Sequence, residues 1–193
     1  MKIVLASGSI TRRKIMDELK LDYDVIVSDY DENIKFTTPN KYVETLSLNK
    51  ALNVKEKVNY DALIIAADSI IYKDGKKYEK PKTIDEAINN MKELRGKVNH
   101  GITGVTIYDT KNNVYKTFSC VTDVYLKDIS DDDILWYVNH EEDLLKKAGY
   151  SLEGVMSLFV EKIEGDYYNV LGLPLGKMYS TINELGYSLK DIE

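Results

Sequence analysis

The chain has 193 residues, of which 44% are hydrophobic and 30% charged, and its formal net charge is -6 at pH 7. This length suits one domain, 1–193, or one domain with a small lobe, and the composition is typical of a soluble globular protein. The negative charge argues against nucleic acid or an anionic membrane as the main partner, because proteins that bind these carry a basic stripe. A small anionic ligand is not excluded, since it needs only a local positive pocket.

Three further features limit the compartment and the chemistry. Cys120 is the single cysteine, which excludes an internal disulfide and fits a reducing cytosol. No segment reaches the roughly 18 consecutive apolar residues of a membrane span, and no signal-peptide pattern opens the chain. His100 and His140 lie far apart in sequence, so a closed zinc site is not expected. Any metal would be a hard cation held by oxygen atoms.

The first predicted elements are a strand, Ile3 to Leu5, a turn of small residues, and a helix that opens with two arginines. The N-terminus of a helix favours an anion, because its backbone N–H groups are free and the macrodipole is positive there. Only three of the 26 basic residues are arginines, and two of them, Arg12 and Arg13, stand here. Arginine offers phosphate a bidentate fork that lysine lacks. We interpret the turn as a phosphate site; the alternative is that Ser9 only caps the helix and both arginines are solvated.

A second strand is predicted at 23–27, followed by an acidic stretch that contains Glu32. A second helix is predicted to begin after Thr38, with Pro39 at its first position and apolar residues at helical spacing as far as Val54. This places Lys50 on a helix.

The segment 62–72 is apolar on both sides of one carboxylate, Asp68, which indicates a strand buried on both faces. Aspartate is almost never buried without a partner or a metal, because desolvating the charge costs several kcal/mol. We therefore assign Asp68 a functional role. The alternative is that the strand ends at Asp68 and leaves it in a solvated turn. Asp74-Gly75 predicts a hairpin that returns the chain, so that Lys80 could lie near Asp68.

The remaining segments predict helices alternating with long strands. The predicted elements are a helix from the capping box Thr83-x-x-Glu86 to Arg95-Gly96, strands 98–108 and 114–126, a helix from Ser130 with Ile134, Leu135 and Trp136 in the core, a strand 155–163, and a last helix that stops at Gly186. Long hairpins with interspersed helices predict an α/β fold with a mixed sheet.

Hydrolysis of a phosphoanhydride needs positive charge on the phosphates, a divalent cation held by carboxylates, and a base or metal that activates water. The candidates for binding phosphate are Arg12, Lys50 and Lys80. The candidates for holding magnesium or acting as base are Asp68, Glu32 and Glu153. The residue types by themselves do not show which of these carboxylates binds the metal and which acts as the base.

Eight short motifs, in order along the chain, resemble the signatures of the Maf family. They are Ser7-Gly8-Ser9-Ile10-Thr11-Arg12-Arg13, Asp29-x-Asp31-Glu32, Tyr42-Val43 with Lys50-Ala51, Ala67-Asp68-Ser69, Lys80-Pro81, Thr103-Gly104, Ala148-Gly149 with Glu153-Gly154, and Gly165-Asp166-Tyr167-x-Asn169-Val170-x-Gly172-Leu173-Pro174. The resemblance spans nearly the whole chain, and eight signatures in order are far more specific than any one of them.

The resemblance implies a mixed, strongly bent sheet flanked by helices, with two lobes around a deep cleft, similar to inosine triphosphate pyrophosphatases. It implies a cytoplasmic nucleoside triphosphate pyrophosphatase that converts NTP and water to NMP and pyrophosphate with Mg²⁺ or Mn²⁺. Such an enzyme limits the incorporation of non-standard nucleotides. Relatives also suggest a homodimer.

Carried over by position, the resemblance gives each matching residue a role. Asp68 corresponds to the family's proton acceptor, and Asp68 and Glu32 are the candidates for metal. The residues that would line the triphosphate are Ser7, Ser9, Arg12, Arg13, Lys50 and Lys80. The positions that would select the base are Thr11, Ser69 and Glu153.

The chain departs from the family pattern at three positions. Ile10 replaces the usual proline of the first loop, and Ser69 replaces a common threonine; both changes should leave the anion site intact. Glu153 resembles the branch that acts on 7-methyl-GTP, because the dTTP/UTP branch usually has glutamine there. The motif at 165–170 resembles the dTTP/UTP branch instead, so our interpretation favours pyrimidine triphosphates, including modified ones.

An alternative from another class is a nucleotide-binding regulator of cell division that hydrolyses slowly or not at all. Loss of the site aspartate or of the phosphate lysines would favour it. Asp68, Lys50 and Lys80 are all present, which favours the enzyme.

Overall fold

The computed structural model describes residues 1–141, 144–146, 150 and 152–192. The strands are β1 (Lys2–Leu5), β2 (Tyr23–Val25), β3 (Ala62–Lys73), β4 (Lys76–Tyr78), β5 (Val98–Asp109), β6 (Val114–Leu126) and β7 (Val160–Glu164). The α-helices are α1 (Ile10–Glu18), α2 (Pro39–Lys55), α3 (Ile84–Leu94), α4 (Asp131–His140), α5 (Tyr167–Leu171) and α6 (Leu175–Glu184). Short 3₁₀ helices cover Leu144–Lys146, Gly154–Phe159 and Leu189–Asp191.

The strands form one seven-stranded mixed sheet in the order β2-β1-β3-β5-β6-β7, with β4 paired to the end of β3. Strand β1 is parallel to β2 and to β3, whereas β4 is antiparallel to β3 and β7 to β6. The predicted hairpin is confirmed: Asp74 and Gly75 have φ values of 48° and 84°, the left-handed pair that a tight hairpin turn requires. The α/β class with a mixed sheet is therefore confirmed.

The chain divides into two compact units. The first comprises Met1–Asp68, Thr103–Cys120 and Gly172–Glu193, and the second comprises Ser69–Ile102 and Val121–Leu171. A single domain over 1–193, a strong bend in the sheet and a deep cleft stay predictions.

The core of the first unit joins β1, β3 and helix α2. Its buried members include Val4, Ala6, Ala51, Val54, Ala62, Ile64, Ala66 and Tyr108. Helix α2 lies against β5 at Gly104, where a Cβ atom would be 2.4 Å from the backbone carbon of Val43 and 2.5 Å from its oxygen. Glycine is required there because the obstacle is backbone, which cannot rotate away. The close approach gives the Thr103-Gly104 motif a packing role in positioning α2, which carries Lys50.

The core of the second unit corrects one prediction about helix α4. Leu135 and Trp136 are 44% and 41% exposed, so the prediction that they lie in the core is wrong. The prediction for Ile134 is confirmed, and the helix buries Tyr137 and Val138 together with it. These three follow the i, i+3, i+4 spacing of one helix face, which three consecutive apolar residues cannot share.

The predicted strand 155–163 is wrong in its first half. Residues Gly154–Phe159 form a 3₁₀ helix, and strand β7 begins only at Val160. Gly154 has a φ of 64°, and Ser157 Oγ donates to its carbonyl at 2.7 Å, so the turn closes locally. Met156 and Phe159 are buried at a spacing of three, which matches the three residues per turn of this helix.

Two further observations concern the length of β2 and the lengths of the helices. Strand β2 ends at Val25, two residues before the predicted end, and Val27 is 51% exposed. None of the helices in the described part of the chain has the length and apolar character needed to cross a membrane.

Candidate active site

The turn between β1 and α1 adopts the predicted helix-capping arrangement. Ser9 is the N-cap of α1, and its Oγ accepts a hydrogen bond from the Arg12 backbone N at 3.3 Å. Ser7 is only 6% exposed. Its Oγ accepts from the Ser9 backbone N and from Arg12 Nη1, each at 3.2 Å. The turn is therefore built around the first arginine of the helix.

The guanidinium of Arg12 joins three segments of the first unit. Its Nη1 donates to the carbonyl of Ala67 at 2.9 Å, and its Nε donates to the carbonyl of Gly172 at 2.7 Å. Gly172 has a φ of 101°, a backbone conformation that favours glycine. Arg12 thus anchors β3 at the residue immediately before Asp68, and for this arginine the solvated alternative is wrong.

Arg13 differs from its neighbour. Its Nε is buried and, among the described residues, has no hydrogen-bond partner. Its carbonyl accepts from Tyr23 Oη at 3.2 Å. Thr11 is partly buried in the same first turn of α1.

Asp68 lies inside β3 and is 8% exposed, so the alternative of a solvated turn is wrong. Lys50 Nζ donates to Asp68 Oδ1 at 2.6 Å and lies 2.9 Å from Glu32 Oε1. The side chains of Lys50 and Asp68 are each 12% exposed, whereas that of Glu32 is 58% exposed. One ammonium from α2 is therefore shared between a buried and an exposed carboxylate.

The electrostatics of this cluster are set by burial. Burial raises the pKa of Asp68, Lys50 and Arg12 pull it down, and Glu32 raises it further; the net direction is upward. Burial lowers the pKa of Arg12, while Asp68 and Glu32 oppose that change. A buried carboxyl with a perturbed pKa among cationic partners is typical of functional sites. The cationic side chains that surround it can also bind a negatively charged ligand.

The two carboxylates suit a divalent cation. Within the ranges that the structure describes, no group of three or more His, Cys, Asp and Glu side chains is placed to hold a metal ion. Asp68 and Glu32, however, both reach a single positively charged atom. Two carboxylates with water or phosphate oxygens completing the shell are an ordinary arrangement for Mg²⁺.

Three predicted site residues belong to the second unit. Ser69 is partly buried in β3 directly after Asp68, and Lys80 is exposed beyond β4. Glu153 is exposed and precedes the 3₁₀ helix Gly154–Phe159. The roles of these three residues stay predictions, and the Ala148-Gly149 motif lies outside the described residues.

Our sequence analysis missed two backbone groups of the site, the carbonyls of Ala67 and Gly172. Their oxygens take two of the hydrogen bonds that orient Arg12. The signal for Gly172 was a glycine in the last motif, outside any predicted turn. Ala67 offered only its position before Asp68.

Among solved structures, the chain is similar to the Staphylococcus aureus Ham1 protein, with 14% identity and a TM-score of 0.44 over 66% of this chain and 73% of that one. A Ham1 protein from Coxiella burnetii gives 15% identity and the same TM-score, over 65% and 73%. Similarity this distant carries no functional argument.

Sequence relatives are much closer. The dTTP/UTP pyrophosphatase of Thermoanaerobacter sp. (strain X514) is 42% identical over 182 residues, 94% of this chain and 95% of that protein. The dTTP/UTP pyrophosphatases of Clostridium botulinum (strain Eklund 17B / Type B) and Clostridium novyi (strain NT) are each 38% identical. These cover 95% and 98% of this chain, and 99% and 100% of their own lengths.

The family model described as "Maf-like protein" matches residues 2–185, a range that holds the cluster around Asp68 and every predicted site residue. With this match and relatives of up to 42% identity over nearly the full length, the chain belongs to the Maf family.

Proposed function

We propose that this protein hydrolyses nucleoside triphosphates to nucleoside monophosphates and pyrophosphate, with dTTP, UTP or modified pyrimidine triphosphates as preferred substrates. The observation that carries the proposal is the contact of buried Asp68 with Lys50, beside an anchored Arg12 at a helix N-terminus. The names of the relatives support the same reaction.

The cationic side chains bind and orient the triphosphate. Arg12, Arg13 and Lys50 neutralise its charge, and the family resemblance predicts the same role for Lys80. The hydroxyls of Ser7 and Ser9 and the first free N–H groups of α1 add neutral donors. Such fixed donors stabilise charge that develops on the phosphates as the anhydride breaks.

Asp68 orients and deprotonates the water that attacks the α-phosphorus. Its raised pKa makes it a better proton acceptor than an ordinary exposed aspartate. Asp68 is also a candidate metal ligand. Loss of activity in Asp68→Asn that is partly restored by more metal would identify that role.

Asp68 and Glu32 would hold a divalent cation, Mg²⁺ or Mn²⁺, in the loaded enzyme. When bound, the cation supplies Lewis-acid polarisation of phosphoryl oxygens. Glu32 is the more exposed of the pair, so it is the carboxylate that faces incoming solvent ions.

Thr11, Ser69 and Glu153 select the base. The glutamate at position 153 is the residue that distinguishes this chain from the usual dTTP/UTP pattern, so Glu153→Gln should shift preference further toward dTTP and UTP. Measuring kcat/KM for dTTP, UTP and 7-methyl-GTP in both proteins tests this.

Free nucleotide is the expected partner, and nucleic acid is not, because a net charge of -6 disfavours a polyanion. The family resemblance favours a cytoplasmic location and a homodimer. Light scattering of the purified protein tests the oligomeric state.

A metal-dependent pyrophosphate-release assay over a nucleotide panel tests the function. We expect stoichiometric pyrophosphate and monophosphate from at least one pyrimidine triphosphate, and no product with excess chelator. Nucleotide binding without turnover across the panel would contradict the enzyme and favour a nucleotide-binding regulator of cell division.

A further inference from the structure

We propose that Lys50 occupies the cation position between Asp68 and Glu32, so that the protein takes up its divalent cation together with the nucleotide and not before it. This inference rests on the proposed function, because it assigns the two carboxylates to the metal. It concerns the order and coupling of binding, which the reaction itself does not dictate.

The first argument is geometric. Lys50 Nζ lies 2.6 Å from Asp68 Oδ1 and 2.9 Å from Glu32 Oε1, so the two oxygens that would ligate a metal already contact one positive charge. The lysine is held at its base by α2, in which the following residue, Ala51, and Val54 are fully buried. Its ammonium reaches the carboxylates on a flexible four-carbon stem, which can be redirected without moving the helix.

The second argument is electrostatic. A divalent cation on the same two oxygens would sit beside the ammonium, and like charges a few ångströms apart repel strongly where water is scarce. The Lys50 side chain is 12% exposed, so solvent screens this repulsion poorly. A free cation must therefore displace Lys50 and leave it without its carboxylate partners.

The third argument comes from the number of ligands. No third His, Cys, Asp or Glu joins the two carboxylates among the residues described, so the protein offers a lone cation few ligands. A triphosphate helps in two ways when the cation replaces Lys50. Its oxygens can ligate the cation, and they give the displaced Lys50 ammonium a new anionic partner. Nucleotide and cation should then strengthen each other's binding, and by linkage the effect is reciprocal.

The experiment measures Mn²⁺ binding from the loss of the electron paramagnetic resonance signal of free Mn²⁺, corrected for the Mn²⁺ that the nucleotide analogue binds in solutions without protein. The proteins are the wild type, Lys50→Met and, as a matched control, Lys57→Met. Lys57 pairs with a carboxylate at a similar distance, 3.0 Å from Asp29, but on the surface. Each protein is titrated alone and with the non-hydrolysable α,β-methylene analogue of dTTP.

For the wild type and Lys57→Met, we expect Mn²⁺ affinity to rise about tenfold or more when the analogue is present. For Lys50→Met without nucleotide, we expect Mn²⁺ to bind about tenfold more tightly than to the wild type, because the ammonium that occupies the cation position has been removed. Its melting temperature should also rise with Mn²⁺ more than that of the wild type. Lys50→Gln should show the same gain in Mn²⁺ affinity as Lys50→Met. It takes the place of Lys50→Met in the experiment if Lys50→Met does not fold.

Wild-type protein that binds Mn²⁺ equally tightly with and without the analogue, or lysine variants that bind it no more tightly than the wild type, would overturn the inference. Failure of the proposed function looks different: the analogue would then bind to no protein in the series. In that case, the comparison without nucleotide still decides whether Lys50 competes with the cation.

Discussion

The first unit contains two buried aspartates whose surroundings differ in kind. Asp68 contacts the ammonium of Lys50 and lies beside the guanidinium of Arg12. Asp109, at the end of β5, is fully buried, and its carboxylate accepts hydrogen bonds from neutral groups. The donors are the backbone N of Lys111 at 2.9 Å, the backbone N and Nδ2 of Asn112 at 3.2 and 2.6 Å, and Tyr187 Oη at 2.8 Å.

The two carboxyls consequently shift in opposite directions. Burial tends to raise the pKa of Asp109, but the hydrogen bonds from Asn112 and Tyr187 outweigh it, and the net direction is downward. Burial and Asp109 in turn raise the pKa of Tyr187 to about 12, which keeps its hydroxyl a donor. Burial dominates at Asp68, whose pKa is raised.

The difference separates a structural carboxylate from a functional one. Donors of the turn after β5, together with Tyr187 Oη, already satisfy the Asp109 carboxylate. The partners of Asp68 are long cationic side chains, which an incoming phosphate can recruit. Burial of an aspartate alone therefore says little about function; the nature of its partners decides.

The largest expected effect is on catalysis by Asp68. Asp68→Asn keeps the shape of the side chain but removes its basicity, so kcat should fall by about 10²- to 10⁴-fold while nucleotide binding stays measurable. Steady-state kinetics and a binding titration check both parts. Asp109→Asn is the matched control and should keep kcat within about twofold of the wild type. Similar losses of kcat in both variants would contradict the difference in role between Asp68 and Asp109.

The next effect concerns the arginine that anchors Asp68. Arg12→Lys cannot reproduce both bonds to the Ala67 and Gly172 carbonyls, so kcat/KM should fall by about 10- to 100-fold through misplacement of β3 and of the phosphates. Arg95→Lys is the control, since Arg95 also donates to a backbone carbonyl, that of Ile129, at 2.8 Å. Equal kcat/KM for Arg12→Lys and wild type would show that the anchor is dispensable.

The third effect is on stability and its pH dependence. Asp109→Asn replaces one acceptor oxygen of the carboxylate with an NH₂ group, which cannot accept the hydrogen bonds that the surrounding donors offer. The free energy of unfolding at neutral pH should therefore fall by about 1–3 kcal/mol. Because the pKa of Asp109 is lower in the folded state, its contribution is present above the unfolded pKa, near 4, and disappears as pH falls through the folded value. Urea unfolding from pH 7 down to pH 3 should show the two proteins converging. A constant gap over that range would contradict the assignment.

The smallest effect tests the hydroxyl beside the arginine. Ser7→Ala removes the acceptor for the Ser9 backbone N and for Arg12 Nη1, so kcat/KM should fall by about two- to tenfold. Ser180→Ala removes a hydroxyl that donates to a helix carbonyl on α6 and should leave kcat/KM unchanged. Unchanged kcat/KM in Ser7→Ala would contradict a role of this hydroxyl in the triphosphate site.

Local signals predicted several structural features around this site. The Ser9 cap, Pro39 at the start of α2 and the hairpin at Asp74-Gly75 each depend on neighbouring residues only, and all three are confirmed. Asp68 stood out because a charge inside a long apolar run must be compensated in the folded protein.

Contacts between distant segments were not predictable in this way. The sharing of Lys50 between Asp68 and Glu32 depends on the course of a long irregular segment before α2, and the bond from Arg12 to Gly172 joins residues 160 positions apart. The errors at 135–136 and 155–159 have other causes: which face of α4 is buried depends on tertiary packing, and a short apolar run such as 155–159 suits a strand and a 3₁₀ helix equally well.

The fate of solvent oxygen tests the central claim most directly, namely that water attacks the α-phosphorus of a nucleoside triphosphate at this site. Hydrolysis of dTTP or UTP in H₂¹⁸O with Mg²⁺, followed by mass spectrometry, should place one ¹⁸O atom in the monophosphate and none in pyrophosphate. Label in pyrophosphate, or release of single phosphates instead, would contradict the account.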